Sequence, residues 1–275
     1  MGRHKCPNAS FCCWTEPGTT SISGRATQIL CDNLGTIRRE VGADFVIVNA
    51  ENVCLGAGNG LSADWAMRLL TAGADVLTGG NHSWRQRCLY NLLDDRRDVL
   101  RPANFHPSNP GQGHTIINVG AARVLVMNVS GQQHLWYDNA PSCAFDAVEG
   151  ILERTRGQYD LSVLDMHGET TSEKAAMALY FDGVVDIIFG THTHVPTADE
   201  CVLPGGTGFI TDIGMCGAIH SALGVEPQSV IAKLRTGMPQ KFKPADGPIQ
   251  ICGAVFAVES GRVISVNRYN KIITK

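Results

Sequence analysis

The feature that most constrains this chain is a series of short, β-branched apolar runs, each of which stops at polar residues able to bind metal. Phe45–Asn49 leads to Glu51 and Asn52, and Asp75–Thr78 to Gly80, Asn81 and His82. Leu161–Met166 leads to His167, and Asp186–Phe189 to Gly190, Thr191, His192, Thr193 and His194. Runs so short and so uniformly apolar suit strands covered on both faces. Arg123–Val129 and Gly208–Thr211 add two more. Between them, Ser62–Ala72, Ser142–Arg156, Ser172–Phe181 and Pro227–Thr236 carry helical spacing, with Ser62 as an N-cap, Pro227 in a first turn and Gly237 as a stop. This alternation predicts an α/β sandwich.

The final stretch, Ile249–Val258 then Arg262–Tyr269 around Glu259, Ser260 and Gly261, reads as a β-hairpin closing one sheet edge. Arg101–Gly113, rich in Pro, Asn and Gly, reads as a surface loop near the site mouth. No repeat, low-complexity block or linker divides the sequence, so one domain is expected over residues 1–275.

With 275 residues, 44% apolar and 18% charged, the chain can bury a substantial core. A net charge of −3 gives no broad basic surface, so extended nucleic-acid binding is not expected. An anionic substrate would need local positive charge, which metal ions would supply. The ten cysteines are scattered from Cys6 to Cys252 without a C-x-x-C pair, which suits reduced thiols in a cytoplasmic protein. No apolar run approaches the roughly 18–20 residues that span a bilayer. The polar start MGRHKCPNAS has no signal-peptide core, so no membrane association is expected.

The loops after strand ends form the ligand crevice of an α/β sheet. Here they would bring together one carboxylate, two carboxamides and four imidazoles. Mixed oxygen and nitrogen donors without thiolate suit divalent Mn, Fe or Zn, and not a structural zinc site. Glu51 could bridge two ions about 3.5–4 Å apart, an arrangement that stabilises both oxygens of a phosphoryl displacement. His192 and His194 point to one side of an extended chain. Taken singly, Asn81-His82 reads more readily as a turn with a capped helix behind it, and His167 is a weak signal; it is their recurrence at equivalent strand ends that makes a site. Gly56, Gly58 and Gly60 lack the spacing of a dinucleotide loop and read as a flexible turn. His4, His106, His114, His134 and His220 read as surface or loop residues. Asp94, Asp95 and Asp98, interleaved with Arg96, Arg97 and Arg101, read as a solvated helix end.

Several long motifs carry a family resemblance. Phe45-Val-Ile-Val-Asn-Ala-Glu-Asn52, Gly79-Gly-Asn-His82, Leu100-Arg-Pro-Ala-Asn104, Asp165-Met-His-Gly-Glu-Thr-Thr-Ser-Glu-Lys174, Gly190-Thr-His-Thr-His194, Leu203-Pro-Gly-Gly-Thr and Thr211-Asp-Ile-Gly-Met215 resemble the YmdB-like branch of the calcineurin-like metallophosphoesterases. The likeness runs from about Cys31 to Tyr269. It implies a four-layer α/β/β/α sandwich with mixed sheets and a dinuclear centre acting on cyclic nucleotides of the 2′,3′- or 3′,5′-cyclic AMP type. By motif, Glu51 would bridge the metals, with Asn81, His167 and His192 at one site and Asn52 and His194 at the other. Fe or Mn would be the ions, Zn an alternative. His82 matches the proton donor to the leaving oxygen, opposite a metal-activated hydroxide. The resemblance alone suggests a homo-oligomer.

Members of this family begin with a short apolar strand ending in Gly-Asp, whose Asp is a ligand of the first metal. Here the region reads Ala9 to Arg25, and no Asp precedes Asp32. The strand is expected over Ser10–Trp14, with Glu16 a substitute carboxylate that Pro17 restricts. Three explanations stand: Glu16 substitutes, the first metal binds weakly, or the start is altered. The alternatives to a cyclic-nucleotide phosphodiesterase are a phosphomonoesterase or nucleotidase on the same metals, and a metal-binding regulatory protein with impaired catalysis.

Overall fold

The computed structural model describes residues 9–15, 24–54, 60–135 and 140–274. In chain order they form β1 (Ala9–Thr15), α1 (Gly24–Glu40), β2 (Phe45–Asn49), α2 (Ala63–Ala72), β3 (Val76–Thr78) and α3 (Tyr90–Asp95). Then come β4 (His114–Val119), β5 (Ala122–Ser130), α4 (Ala144–Arg154), β6 (Leu161–His167), α5 (Thr171–Tyr180) and β7 (Ile187–Thr191). The remainder is β8 (Cys201–Val202), β9 (Gly208–Ile210), β10 (Cys216–Ala218), α6 (Pro227–Thr236), β11 (Ile249–Glu259) and β12 (Arg262–Ile273).

Because successive side chains on a strand point to opposite faces, each strand divides its residues between two layers. Val46 and Val48 of β2 pack with Leu30, Leu34 and Ile37 of α1 and Leu69 of α2. Phe45 and Ile47 face the other way, into a central layer with Val124, Val126, Val163, Ile187, Phe189 and Phe256. Leu125, Met127, Leu164, Met166 and Ile188 turn outward onto Val148 and Ile151 of α4 and Met177 of α5. Helix, sheet, sheet and helix are thus stacked with an apolar layer at each junction, which is the four-layer sandwich expected. Each fully buried Leu, Ile or Phe in these layers stabilises the fold by about 1.5–3 kcal/mol.

The first sheet runs β3, β2, β1, β11 and β12, with β1, β2 and β3 parallel. β12 pairs along the whole of β11 and forms the edge, while β1 and β10 share the other side of β11. The second sheet runs β4, β5, β6, β7, β9 and β8, with its four inner strands parallel and its two edges antiparallel. The hairpin is longer than expected, reaching Ile273, and turns at Ser260 and Gly261, both with positive φ.

The expected strands and helices all form, with small shifts. Asp75 and Asp186 fall just outside β3 and β7, where their carboxylates accept hydrogen bonds from neighbouring strands, from Val46 N and Ser162 N at 2.8 Å each. Ser62 caps α2 through Trp65 N at 3.3 Å. β1 contains the anticipated Ser10–Trp14 and is a central strand, with Thr15 aligned to Asn49. Two readings are corrected. Arg101 is not solvated but 5% exposed, donating to Pro102 O at 2.8 Å and Gly111 O at 3.2 Å beneath the Trp84 ring. His114 lies on β4, where burial lowers its pKa. Glu16, His4, Gly56 and Gly58 lie outside the described residues.

Candidate metal centre

Along the inner faces of the sheets, apolar residues give way to polar ones at the same end of β2, β3, β5, β6 and β7. The alternate positions read Phe45, Ile47, Asn49 on β2 and Val76, Thr78 on β3. On the second sheet they read Val124, Val126, Asn128 on β5, Val163, Asp165, His167 on β6, and Ile187, Phe189, Thr191 on β7. The period of two therefore carries each strand from core into site without changing face. The loops just beyond supply Glu51, Asn52, Asn81, His82, His192 and His194.

Six of the seven predicted residues are joined by short contacts. His167 Nε2 lies 2.7 Å from Glu51 Oε2, 2.9 Å from Asn81 Oδ1 and 3.1 Å from His192 Nδ1. His82 Nδ1 lies 2.9 Å from Glu51 Oε1 and 2.8 Å from Asn52 Oδ1. Asn52 Nδ2 donates to Glu51 Oε1 at 3.0 Å. The seventh, His194, is buried with its ring centroid 6.2 Å from that of His192. Glu51, His167 and His192 each offer a donor atom within 4.8 Å of the others.

The donor chemistry fits a divalent cation. His194 Nδ1 is buried and takes part in no hydrogen bond, and Glu51 Oε2 has only the His167 Nε2 contact at 2.7 Å; an unsatisfied buried atom costs about 1–3 kcal/mol unless something else satisfies it. His192 Nε2 faces Glu169 Oε2 at 2.9 Å, and a carboxylate can only accept, so the ring proton sits on Nε2 and Nδ1 is a bare lone pair. That lone pair points at the His167 ring and the buried Glu51 carboxylate; a shared cation turns this crowding of acceptors into attraction. Gly80 closes the floor, since a Cβ there would collide with Glu51 Oε2 and His167 Nε2.

The electrostatics favour metal-competent protonation states. Burial is the largest influence on Glu51 and pushes its pKa up, but His167 and His82 together outweigh it and hold the carboxyl well below the ordinary range. Burial, reinforced by His167, pushes His192 down to about 3, and burial pushes His194 down to about 4. Both imidazoles are therefore neutral near pH 7, as ligands must be.

The loop bearing His192 and His194 is strained, with φ of 100° and 64° at these two residues. Such backbone costs about 1–3 kcal/mol per residue and persists only where its surroundings impose it. Asp212 does so here: its Oδ2 accepts from Thr193 N at 3.0 Å and Thr193 Oγ1 at 2.8 Å, and its Oδ1 from Gly214 N at 2.9 Å. Lys174 of α5 neutralises it. Lys174, Asp212 and Glu169 lie in the recognised motifs but drew no role from sequence reasoning. A charge inside an otherwise apolar or small-residue run was the signal that could have found them.

The sequence matches the family described as YmdB-like protein over residues 20–269. A 2',3'-cyclic-nucleotide 2'-phosphodiesterase of Bacillus subtilis (strain 168) is 34% identical over 215 residues, which cover 78% of this chain and 80% of that one. A solved structure of a novel phosphatase from Mycoplasma pneumoniae is 32% identical, superposes with a TM-score of 0.86, and covers 98% of this chain and 95% of its own. A hypothetical protein from Thermus thermophilus is 34% identical with a TM-score of 0.83, covering 96% and 99%. Alike in sequence over most of its length and in fold over nearly all of it, the chain belongs to the YmdB-like protein family.

Proposed function

We propose that this metal-dependent phosphoesterase is a dinuclear-metal phosphodiesterase that hydrolyses cyclic nucleotides of the 2′,3′- or 3′,5′-cyclic AMP type. The observation that carries the reading is the meeting of Glu51, Asn81, His167 and His192 donor atoms at the polar ends of strands from both sheets, with His82 alongside. The name of the Bacillus subtilis relative supports the substrate class.

In this reading Glu51, Asn81, His167 and His192 would hold one ion, and Glu51, Asn52 and His194 would hold a second. Fe or Mn suits these donors best, Zn less so. Bound ions would polarise the phosphoryl oxygens, neutralise developing charge and lower the pKa of water. The chain's own residues do the rest. Glu51 and Asn52 engage His82 Nδ1, which fixes the ring and leaves Nε2 as the nitrogen to deliver a proton to the leaving alkoxide. Asn81 Nδ2 lies 3.2 Å from that Nε2, and because an amide NH2 can only donate, this contact has to open for Nε2 to carry the proton.

The reading treats residues 1–275 as one metallophosphoesterase domain, places it in the cytoplasm and allows a homo-oligomer. Among the described residues no helix is long and apolar enough to cross a membrane. The name of the Mycoplasma pneumoniae structure favours a second reading, a phosphomonoesterase or nucleotidase on the same centre. A regulatory metal-binding role with impaired catalysis is the third, motivated by the missing Asp before Asp32. The test is turnover of 2′,3′-cyclic AMP, 3′,5′-cyclic AMP, 5′-AMP and p-nitrophenyl phosphate with Mn²⁺. Hydrolysis of the cyclic diesters, lost in His82→Ala, is expected. Turnover of the monoesters alone would establish the second reading, and no turnover despite bound metal the third.

A further inference from the structure

Residues 219–248 leave the first sheet after β10 and return to it at β11. The root of this excursion is fastened. Glu226 N donates to Lys243 O at 2.8 Å and Ala245 N to Gly224 O at 2.9 Å, and Val225 and Ala245 are buried. From 226 to 244, by contrast, no residue is buried. Along this stretch α6 leaves Ile231 52% and Leu234 79% exposed, and Met238, just past its end, is 62% exposed. A helix of 10 residues is marginal in water unless packing covers its apolar face, and among the described residues nothing buries any side chain of α6.

Charge is distributed as unevenly. Between Glu226 and Asp246 the sequence has the cations Lys233, Arg235, Lys241 and Lys243 and no acid, in a chain whose net charge is −3. Among the described residues none of these cations forms an ion pair; Lys233 instead lies over the Phe242 ring, 5.0 Å from its centroid. At about 100° per residue, Lys233 and Arg235 stand to either side of Leu234, while Ile231 lies on its own face one turn earlier. An aliphatic ridge flanked by long cationic side chains is the pattern of a helix lying in a bilayer interface, its apolar face inserted and its charges at the headgroups. Such a helix needs no membrane-spanning run.

We propose that α6 and residues 237–243 form a docking surface for an anionic phospholipid bilayer, which Ile231, Leu234 and Met238 enter while the cations engage the headgroups. Four Lys and Arg on an amphipathic helix reach the size of cluster that anionic lipid retains. Two other occupants suit the surface less. In a twofold pairing with a second copy, centred on Leu234, Lys233 and Arg235 would face their own counterparts, and like charges in an interface oppose association. A nucleic-acid strand would match the cations but leave the three aliphatic side chains against phosphate and water. The inference stands apart from the metal-centre reading, which takes no residue from this segment.

The experiment is flotation of the full chain with vesicles of phosphatidylcholine alone, or of equal parts phosphatidylcholine and phosphatidylglycerol. Binding is expected to the anionic vesicles only, weakening as salt rises. Lys233→Gln combined with Arg235→Gln should lower partitioning about 25-fold, roughly five-fold per cation. Leu234→Gln should lower it about 10-fold through lost apolar burial. The substituted side chains are exposed, so the variants should keep the circular dichroism of the unsubstituted chain. No binding to anionic vesicles at low salt overturns the proposal, and so does binding that Leu234→Gln leaves intact. A dimer in sedimentation velocity that excludes vesicles and dissociates in Leu234→Gln would give the face to a second copy. A single-stranded oligonucleotide that binds more tightly than the vesicles, regardless of Leu234→Gln, would give it to nucleic acid; either result overturns the proposal.

Discussion

The ammonium of Lys174 and the carboxylate of Asp212 lie 2.8 Å apart, and neither side chain is exposed to solvent. Removing one partner of such a pair strands the other charge in the interior, at about 3–5 kcal/mol. Lys174→Met is accordingly expected to lose that much stability in urea unfolding. Because Asp212 also holds Thr193, Mn²⁺ affinity should fall with it; a stable variant with unaltered binding would show that the pair does not govern the ligand loop.

Gly80→Ala tests the packing at the floor of the centre. The added methyl meets Glu51 Oε2 and His167 Nε2, and overpacking of this kind costs about 1–3 kcal/mol. The melting temperature should drop and Mn²⁺ titration should show a displaced or lost site. Normal binding would mean that the two ligand side chains can move aside.

The metal-free protein should weaken on acidification over a definite window. An exposed histidine in the unfolded chain takes up its proton near pH 6.5, whereas burial holds His194 neutral down to about 4 and His192 to about 3. Between these values the unfolded state binds more protons, so stability rises with pH and is lost as pH falls from 6.5 towards 4. His194 alone should contribute on the order of 3 kcal/mol to this loss. Urea midpoints of chelator-treated protein at pH 7 and pH 4.5 measure it, and the slope should flatten in His194→Gln if that variant folds.

His82→Gln separates catalysis from metal binding. The imidazole contacts Glu51 and Asn52 but, in the proposed division of labour, holds no ion. Turnover of a cyclic nucleotide should fall by about 10²–10⁴ with the metal content unchanged. Glu51→Gln should behave oppositely, with the metal content itself reduced. Loss of metal from His82→Gln would reassign His82 as a ligand.

Much of this arrangement could be read in advance from residues adjacent in sequence. Phe45–Asn49 and Pro227–Thr236 appear with the boundaries that their apolar pattern, Pro and Gly imply. The strand-end loops were recognisable because donor residues follow the apolar runs directly. What escaped depends on distance along the chain. Asp165 looks like a stray charge in Leu161–His167 until Asn49, 116 residues away, is folded against it. Arg101 looked solvated because its run is charged, yet the acceptors that bury it are backbone carbonyls, which leave no trace in side-chain pattern. α1 drew no expectation at all. Its apolar stripe of Leu30, Leu34 and Ile37 is interleaved with polar and charged residues and begins at a glycine without an acidic first turn.

The place of β1 sets an order of assembly. Cys12 is aligned with Val46 on one side and with Val255 on the other, so β1 is completed by a strand more than two hundred residues further along the chain. The second sheet uses only residues 114–210 and can close while the ribosome is still at work. The first must wait, its β1 edge open, until the final hairpin emerges. Local pairings form early and distant ones late, and an unpaired edge is the part of a nascent chain most prone to join the wrong neighbour. The nest of ligands is therefore held from both sides only once β11 has paired with β1.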